Sequence, residues 1–198
     1  MRVSHKRSLS RGACAAIIAC AAASAAHAAV VSYQAVLSGP AESPPNASPA
    51  TGFSIVDVDS IAHTMRVRVD FTGLLAGNTA CHIHGPTAVA GEGTASVATT
   101  TPTFVGFPTG ATSGTFDLTL DMTLASSYRA GFITANGGTT ALAEAVLFQS
   151  MADGKAYVNV HSSVFPGGEI RGFLSLVPSP GTGAVLALSG LMAARRRR

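Results

Sequence analysis

Strict alternation of apolar and polar side chains is the feature that most constrains the fold of this chain. In residues 62–71, AHTMRVRVDF, every second residue from Met65 onward is large and apolar, and the residues between them are Arg or Asp. Because successive side chains of a β-strand point to opposite faces, one face of this segment is apolar and the other is polar. Such alternation is typical of an antiparallel sheet that is buried on one face.

Five other segments read as strands of the same kind. They are residues 31–37, 53–59, 114–120, 156–162 and 169–176. Residues 142–151 differ, because they have helical propensity and lie between the turn-forming sequences NGG and ADG. Short strands separated by turns predict an all-β domain, an antiparallel Greek-key β-sandwich or small barrel with one short helix.

Residues 1–28 have the organisation of a secretory signal peptide. Basic residues precede an apolar run of small side chains, and Ala26-His27-Ala28 supplies the small-x-small pattern that signal peptidase recognises. We expect cleavage after Ala28, so that the mature domain covers residues 29–176. An alternative is a lipoprotein box with an acylated Cys20, which would leave a very short apolar region.

Residues 177–198 form a second targeting segment. The segment begins with Val177, Pro178, Ser179 and Pro180, continues with an apolar run over residues 181–194, and ends in four arginines. The run is shorter than the roughly 20 residues of a transmembrane helix, and the arginines should stay on the cytoplasmic side. The sequence predicts a short apolar helix that holds an otherwise external protein at the membrane, and a plain anchor is one possibility.

The layout of this tail also resembles a PEP-CTERM sorting signal. In that family an exosortase at the inner membrane recognises the tail and removes it. The chain departs from the family pattern at Ser179, where glutamate is usual. The resemblance implies a protein of the cell surface or extracellular space that is anchored transiently in the inner membrane, with an exosortase-type enzyme as a transient partner.

Charge argues against a nucleic-acid partner. The whole chain has 13 Lys and Arg residues and 10 acidic residues, but eight of the basic residues lie in the two targeting segments. The mature domain therefore carries five basic and ten acidic residues, a net charge of −5 that would repel a phosphate backbone. Cys81 is its single cysteine, so the domain has to be held together by its core and not by a disulfide.

Two segments of the predicted β domain resemble the CHRD domain, which is named after chordin. They are ACHIHGP, residues 80–86, and AYVNVHSSVFPGGEIRGFL, residues 156–174. The family contains an extracellular protein that sequesters growth factors and many secreted bacterial proteins. The resemblance spans roughly residues 31–176 and implies an extracellular module without an assigned set of catalytic residues. The growth-factor role is not implied for a bacterial surface protein.

Three histidines in these segments are candidate metal ligands. His82 and His84 are two residues apart, so on a strand they share a face, and His161 lies on the second segment. If the two strands are neighbours, the three imidazoles converge, and such a set suits zinc or copper. The alternative is that each histidine donates to a loop carbonyl and fixes the turn beside it. The sequence leaves open whether the two strands are neighbours.

The other polar residues form no recognisable catalytic pattern, and the sequence predicts no catalytic residue. His63 has no recognisable partner and is expected on the surface. Glu169 and Arg171 share a strand face and are expected to form an exposed ion pair of little energetic value.

The function favoured by the sequence is a non-enzymatic binding or structural module of the cell envelope or extracellular matrix. Its expected partner is an exopolysaccharide or another surface protein, and it carries no cofactor. The alternative is a zinc or copper protein built on His82, His84 and His161.

Overall fold

A computed structural model describes residues 30–178. The predicted signal peptide, with its cleavage site at Ala28, lies outside the described residues. Of the predicted sorting motif, Val177 and Pro178 lie within them, whereas Ser179, Pro180 and the rest of the tail do not. No helix within residues 30–178 has the length and apolar character that a membrane crossing requires.

One antiparallel sheet forms the domain. Its strands are β1 (Val31–Ser38), β2 (Thr51–Asp59), β3 (Thr64–Thr72), β4 (Asn78–His84), β5 (Gly114–Asp121), β6 (Tyr157–Ser162), β7 (Ile170–Phe173) and β8 (Ser175–Leu176). The strand order is β4-β6-β7-β1-β2-β3-β5, and β8 also pairs with β1. The prediction of antiparallel β structure is confirmed. The described strands all belong to one open sheet, a half-barrel, in place of two stacked sheets or a closed barrel.

The strands β2 and β3 form a hairpin. The carboxylate of Asp59 accepts hydrogen bonds from the backbone N–H groups of Ile61 and Ala62, which ends β2 in a tight turn. In β3 the side chains of Met65 and Val67 are fully buried, as the alternation predicts. The apolar set defines the inner face of the sheet.

The predicted helix is α2 (Thr140–Ala152), which packs on that inner face. The hydroxyl of Thr139 caps its N-terminus by accepting from the Leu142 N–H group. Ala143, Leu147 and Met151, spaced four residues apart, are buried in the core. A 3-10 turn (Ala125–Ser127) and the short helix α1 (Ala130–Ala135) precede α2 and were not predicted.

The outer face of the sheet is divided into an open and a covered part. On β1 and β2, Val36 lies opposite Phe53, and both side chains are exposed. On β4, β6 and β7 the loops over residues 39–50 and 85–113 contact the outward-facing side chains. The covered part therefore holds polar residues in a buried environment, and it contains the candidate site.

Candidate metal centre

Strands β4 and β6 are direct neighbours, which answers the question that the sequence leaves open. His82 lies opposite Asn159, and Ala80 lies opposite His161. Because opposite residues of an antiparallel pair share a face, His82, His84 and His161 all point outward. One ring nitrogen from each of the three lies within 4.8 Å of the others.

Each of these rings uses one nitrogen to bind a backbone carbonyl. His82 Nε2 lies 2.7 Å from the Pro102 oxygen, and His84 Nδ1 lies 2.9 Å from the Ala95 oxygen. His161 Nδ1 lies 3.0 Å from the oxygen of Pro166. A carbonyl oxygen only accepts hydrogen bonds, so each of these nitrogens carries the proton of its neutral ring. The expectation that the histidines fix the adjoining loops is thus met.

The other nitrogen of each ring then has a lone pair that receives no hydrogen bond. His82 Nδ1 faces His161 Nε2 at 3.3 Å, and two lone pairs cannot form a hydrogen bond. His84 Nε2 is buried and has no hydrogen-bond partner within the described residues. A buried acceptor without a donor costs about 1–3 kcal/mol. A proton or a metal ion between the rings would satisfy these acceptors.

The surroundings disfavour a proton in that position. Burial, together with the neighbouring His161, lowers the pKa of His82 to about 4. Burial likewise lowers the pKa of His84 to about 4, and it lowers the pKa of His161. At neutral pH the three rings are neutral, and the neutral imidazole is the form that binds metals.

The spacing of two of the three nitrogens fits a tetrahedral ion. Two ligand nitrogens at 2.0–2.1 Å from zinc and at a tetrahedral angle lie about 3.3 Å apart. His82 Nδ1 and His161 Nε2 have this separation. A histidine that binds a metal through one ring nitrogen commonly donates the N–H group of the other nitrogen to a carbonyl or carboxylate, as all three rings do here. Three neutral imidazoles suit zinc or copper, and Cys81, which faces the core, is not part of the cluster.

Comparison with known proteins places this chain in a family. A model of the CHRD domain matches residues 33–174, most of the chain. The chain belongs to the CHRD domain family. Searches of curated proteins and of solved structures found no match to it.

In this CHRD domain a buried cation, Arg171, lies beside the histidine cluster. Arg171 is 5% exposed, and it donates hydrogen bonds to the backbone oxygens of Ala41 and Gly93. Its guanidinium lies 4.9 Å from the ring centroid of Tyr157, which in turn stacks on His84. The expectation of an exposed ion pair is therefore wrong.

Two buried carboxylates, those of Glu169 and Glu42, lie near Arg171 on the covered face. Glu169 is fully buried and accepts hydrogen bonds of 2.7 Å from the Ser48 hydroxyl and the Leu75 N–H group. Glu42 lies 3.8 Å from Arg171 and accepts a hydrogen bond from Asn159. Burial raises the pKa of Glu42 to about 7, although the Arg171 charge opposes the shift. These contacts fasten the loop over residues 39–50 to the face that carries the histidines.

A glycine is required where this loop meets the sheet. Gly168 has a φ of 136°, and a Cβ atom at this position would lie 2.4 Å from the Asn159 amide nitrogen. No other residue fits without displacing Asn159 or Glu42. The PGG sequence that reads as a turn thus also allows the close approach of Glu42 to β6.

His63, for which the sequence shows no recognisable partner, is half-exposed and is paired. It lies in the turn before β3, and its Nδ1 atom is 2.9–3.0 Å from both carboxylate oxygens of Glu144 on α2. The pairing could not be read from the sequence, because 81 residues separate the two. His63 does not belong to the metal cluster.

Proposed function

We propose that this CHRD protein is an exported, non-enzymatic module that binds one zinc or copper ion through His82, His84 and His161. One observation carries the proposal: three convergent ring nitrogens are free of protons because the second nitrogen of each ring donates to a carbonyl. The ligand set is held before the ion arrives, so binding costs little rearrangement.

The ion would act as a cross-link. His82 and His84 lie on β4 and His161 lies on β6, and their second nitrogens hold carbonyls at Ala95, Pro102 and Pro166. A metal bound between the rings would therefore join two strands and three loop positions of the covered face. Neutral imidazoles accept both zinc and copper, and availability in the compartment would decide between them.

The proposal is tested by the metal content of the protein purified after expression of the full chain without a histidine tag or chelator. We expect about one zinc or copper ion per chain, and its loss when His82 and His84 are both replaced by alanine. His63→Ala is the matched control, because it removes a histidine that lies outside the cluster. Absence of metal even after incubation with both ions and desalting would refute the proposal, as would equal loss in the control.

The second part of the proposal is the location. It is supported by the small-x-small pattern at Ala28 and by the VPSP-apolar-arginine layout of residues 177–198. We propose export, processing by an exosortase-type enzyme after transient anchoring in the inner membrane, and a final position at the cell surface or outside the cell. The intact mass of the exported protein tests both steps, since a chain that begins at Met1 or retains Arg198 would argue against the corresponding cleavage. An exopolysaccharide or surface protein as partner remains a prediction.

A further inference from the structure

A second candidate site lies between α2 and the hairpin of β2 and β3, away from the histidine cluster. It is a groove of about 400 Å³, and its apolar walls include Val31, Val58 and Phe148. The polar side chains of His63 and Glu144 also line it. This volume and this balance of apolar wall and few polar groups are those of small-molecule sites. None of the three candidate metal ligands lines the groove.

The side chains of His63 and Glu144 contact each other in the groove. The carboxylate of Glu144 is 7% exposed, and both of its oxygens contact His63 Nδ1. Carboxylate oxygens accept hydrogen bonds, so Nδ1 donates its proton to Glu144. The other ring nitrogen, Nε2, has no hydrogen-bond partner within residues 30–178. The imidazole is half-exposed and is therefore accessible to a ligand.

The backbone holds this imidazole in an unfavourable conformation. His63 has a φ of 52°, and it is the one non-glycine residue with positive φ among those that the structure describes. Its conformation is maintained from both sides, by the Asp59 turn before it and by the hydrogen bond from the Met122 N–H group to the His63 oxygen. Glycine would adopt this conformation without strain but would leave Glu144 and the groove without the imidazole. Strained residues that the surrounding structure enforces are concentrated at functional sites.

We propose that the groove binds a small uncharged molecule with an apolar body and one hydroxyl group, such as a phenol. The body would lie against Val31, Val58 and Phe148, and the hydroxyl, which can donate or accept, would form a hydrogen bond with His63 Nε2. A carboxylate ligand would be repelled by the buried carboxylate of Glu144. A cationic ligand would lose its hydration against walls that are mainly apolar. A neutral hydroxyl group avoids both costs.

The test uses four probes of nearly the same shape and the protein purified after expression of the full chain. The probes are p-cresol, p-xylene, p-toluate and 4-methylbenzylamine, and binding is followed by ¹H–¹⁵N NMR at residues of the groove. We expect p-cresol to bind about tenfold more tightly than p-xylene, as one added hydrogen bond implies, and the other two to bind no better than p-xylene. In His63→Ala the ratio of p-cresol to p-xylene affinity should fall to about one.

Two alanines of α2 provide the control for the groove. Ala145 is exposed and lines the groove, whereas Ala152 is exposed on the same helix outside it. Ala145→Leu should weaken binding of every probe, and Ala152→Leu should leave it unchanged, with the NMR spectrum reporting the fold of each variant. No shifts at the groove with millimolar p-cresol would overturn the proposal. Equal or tighter binding of any other probe would overturn the assignment of a hydroxyl ligand.

Discussion

Replacing Arg171 by methionine is expected to lower the free energy of unfolding by about 3–5 kcal/mol, because two hydrogen bonds from a charged group are lost and each contributes about 1.5–3 kcal/mol. The change removes the hydrogen bonds to Ala41 and Gly93 and the contact with the Tyr157 ring. It also leaves the carboxyl of Glu42 buried without its cationic neighbour. Equilibrium denaturation in urea measures the effect at neutral pH.

Arg66→Met is the matched control for this experiment. Arg66 makes a closer ion pair, with two hydrogen bonds to Asp117, but both side chains are about half-exposed. Solvent screens such a pair, so the expected loss of stability is much smaller than that of Arg171→Met. Equal losses in the two variants would mean that Arg171 does not hold the covered face together. They would mean that Arg171 contributes as little to stability as the sequence-based prediction of an exposed ion pair implied.

Loading the metal-free protein with zinc or copper is expected to raise the free energy of unfolding by about 3–4 kcal/mol when free metal exceeds the dissociation constant by 100- to 1,000-fold. The gain arises because only the folded chain brings the three histidine nitrogens together. For a domain of this size the melting temperature should rise by roughly 10 °C. Thermal unfolding followed by circular dichroism measures it.

The increase in melting temperature on adding metal should depend only on the histidine cluster. His84→Ala removes one of the three convergent nitrogens, so the variant should lose most or all of the increase in melting temperature on adding metal. His63→Ala should keep the increase, since its imidazole is bound to Glu144 and lies outside the cluster. An increase of the same size in both variants would show that the ion binds elsewhere.

The regular part of the fold could be predicted from the sequence because it repeats with a fixed period. Alternation placed Met65 and Val67 on the buried face, and the same period placed His82 and His84 together on the other face. The helix could be predicted as well, because a run of helix-forming residues lies between two strong turns. In each case a local pattern was sufficient.

The neighbours of these elements could not be predicted, since they depend on strand order. His82 and His161 are 79 residues apart, and they meet because β4 pairs with β6 at the edge of the sheet. Periodicity gives the face on which a side chain lies but not the strand beside it. The sequence could therefore predict only that the three histidines converge if their strands are neighbours, and not that the strands are neighbours.

The burial of Arg171 and Glu169 was missed for a different reason. Both are covered through contacts with irregular segments, among them Ala41, Ser48 and Gly93. Such loops have no period, and nothing in their residue pattern indicates which face they cover. A charged residue on a strand was accordingly assigned to solvent. The same limitation hid the contact between Glu42 and Asn159.

X-ray absorption at the edge of the bound metal tests the central claim most directly, because it measures the ligands themselves. For the zinc-loaded protein we predict three imidazole nitrogens at about 2.0–2.1 Å, with at most one further light ligand. The His82→Ala, His84→Ala double variant should give no such signal. A first shell of oxygen alone, or one with a sulfur at about 2.3 Å, would contradict a site built on His82, His84 and His161.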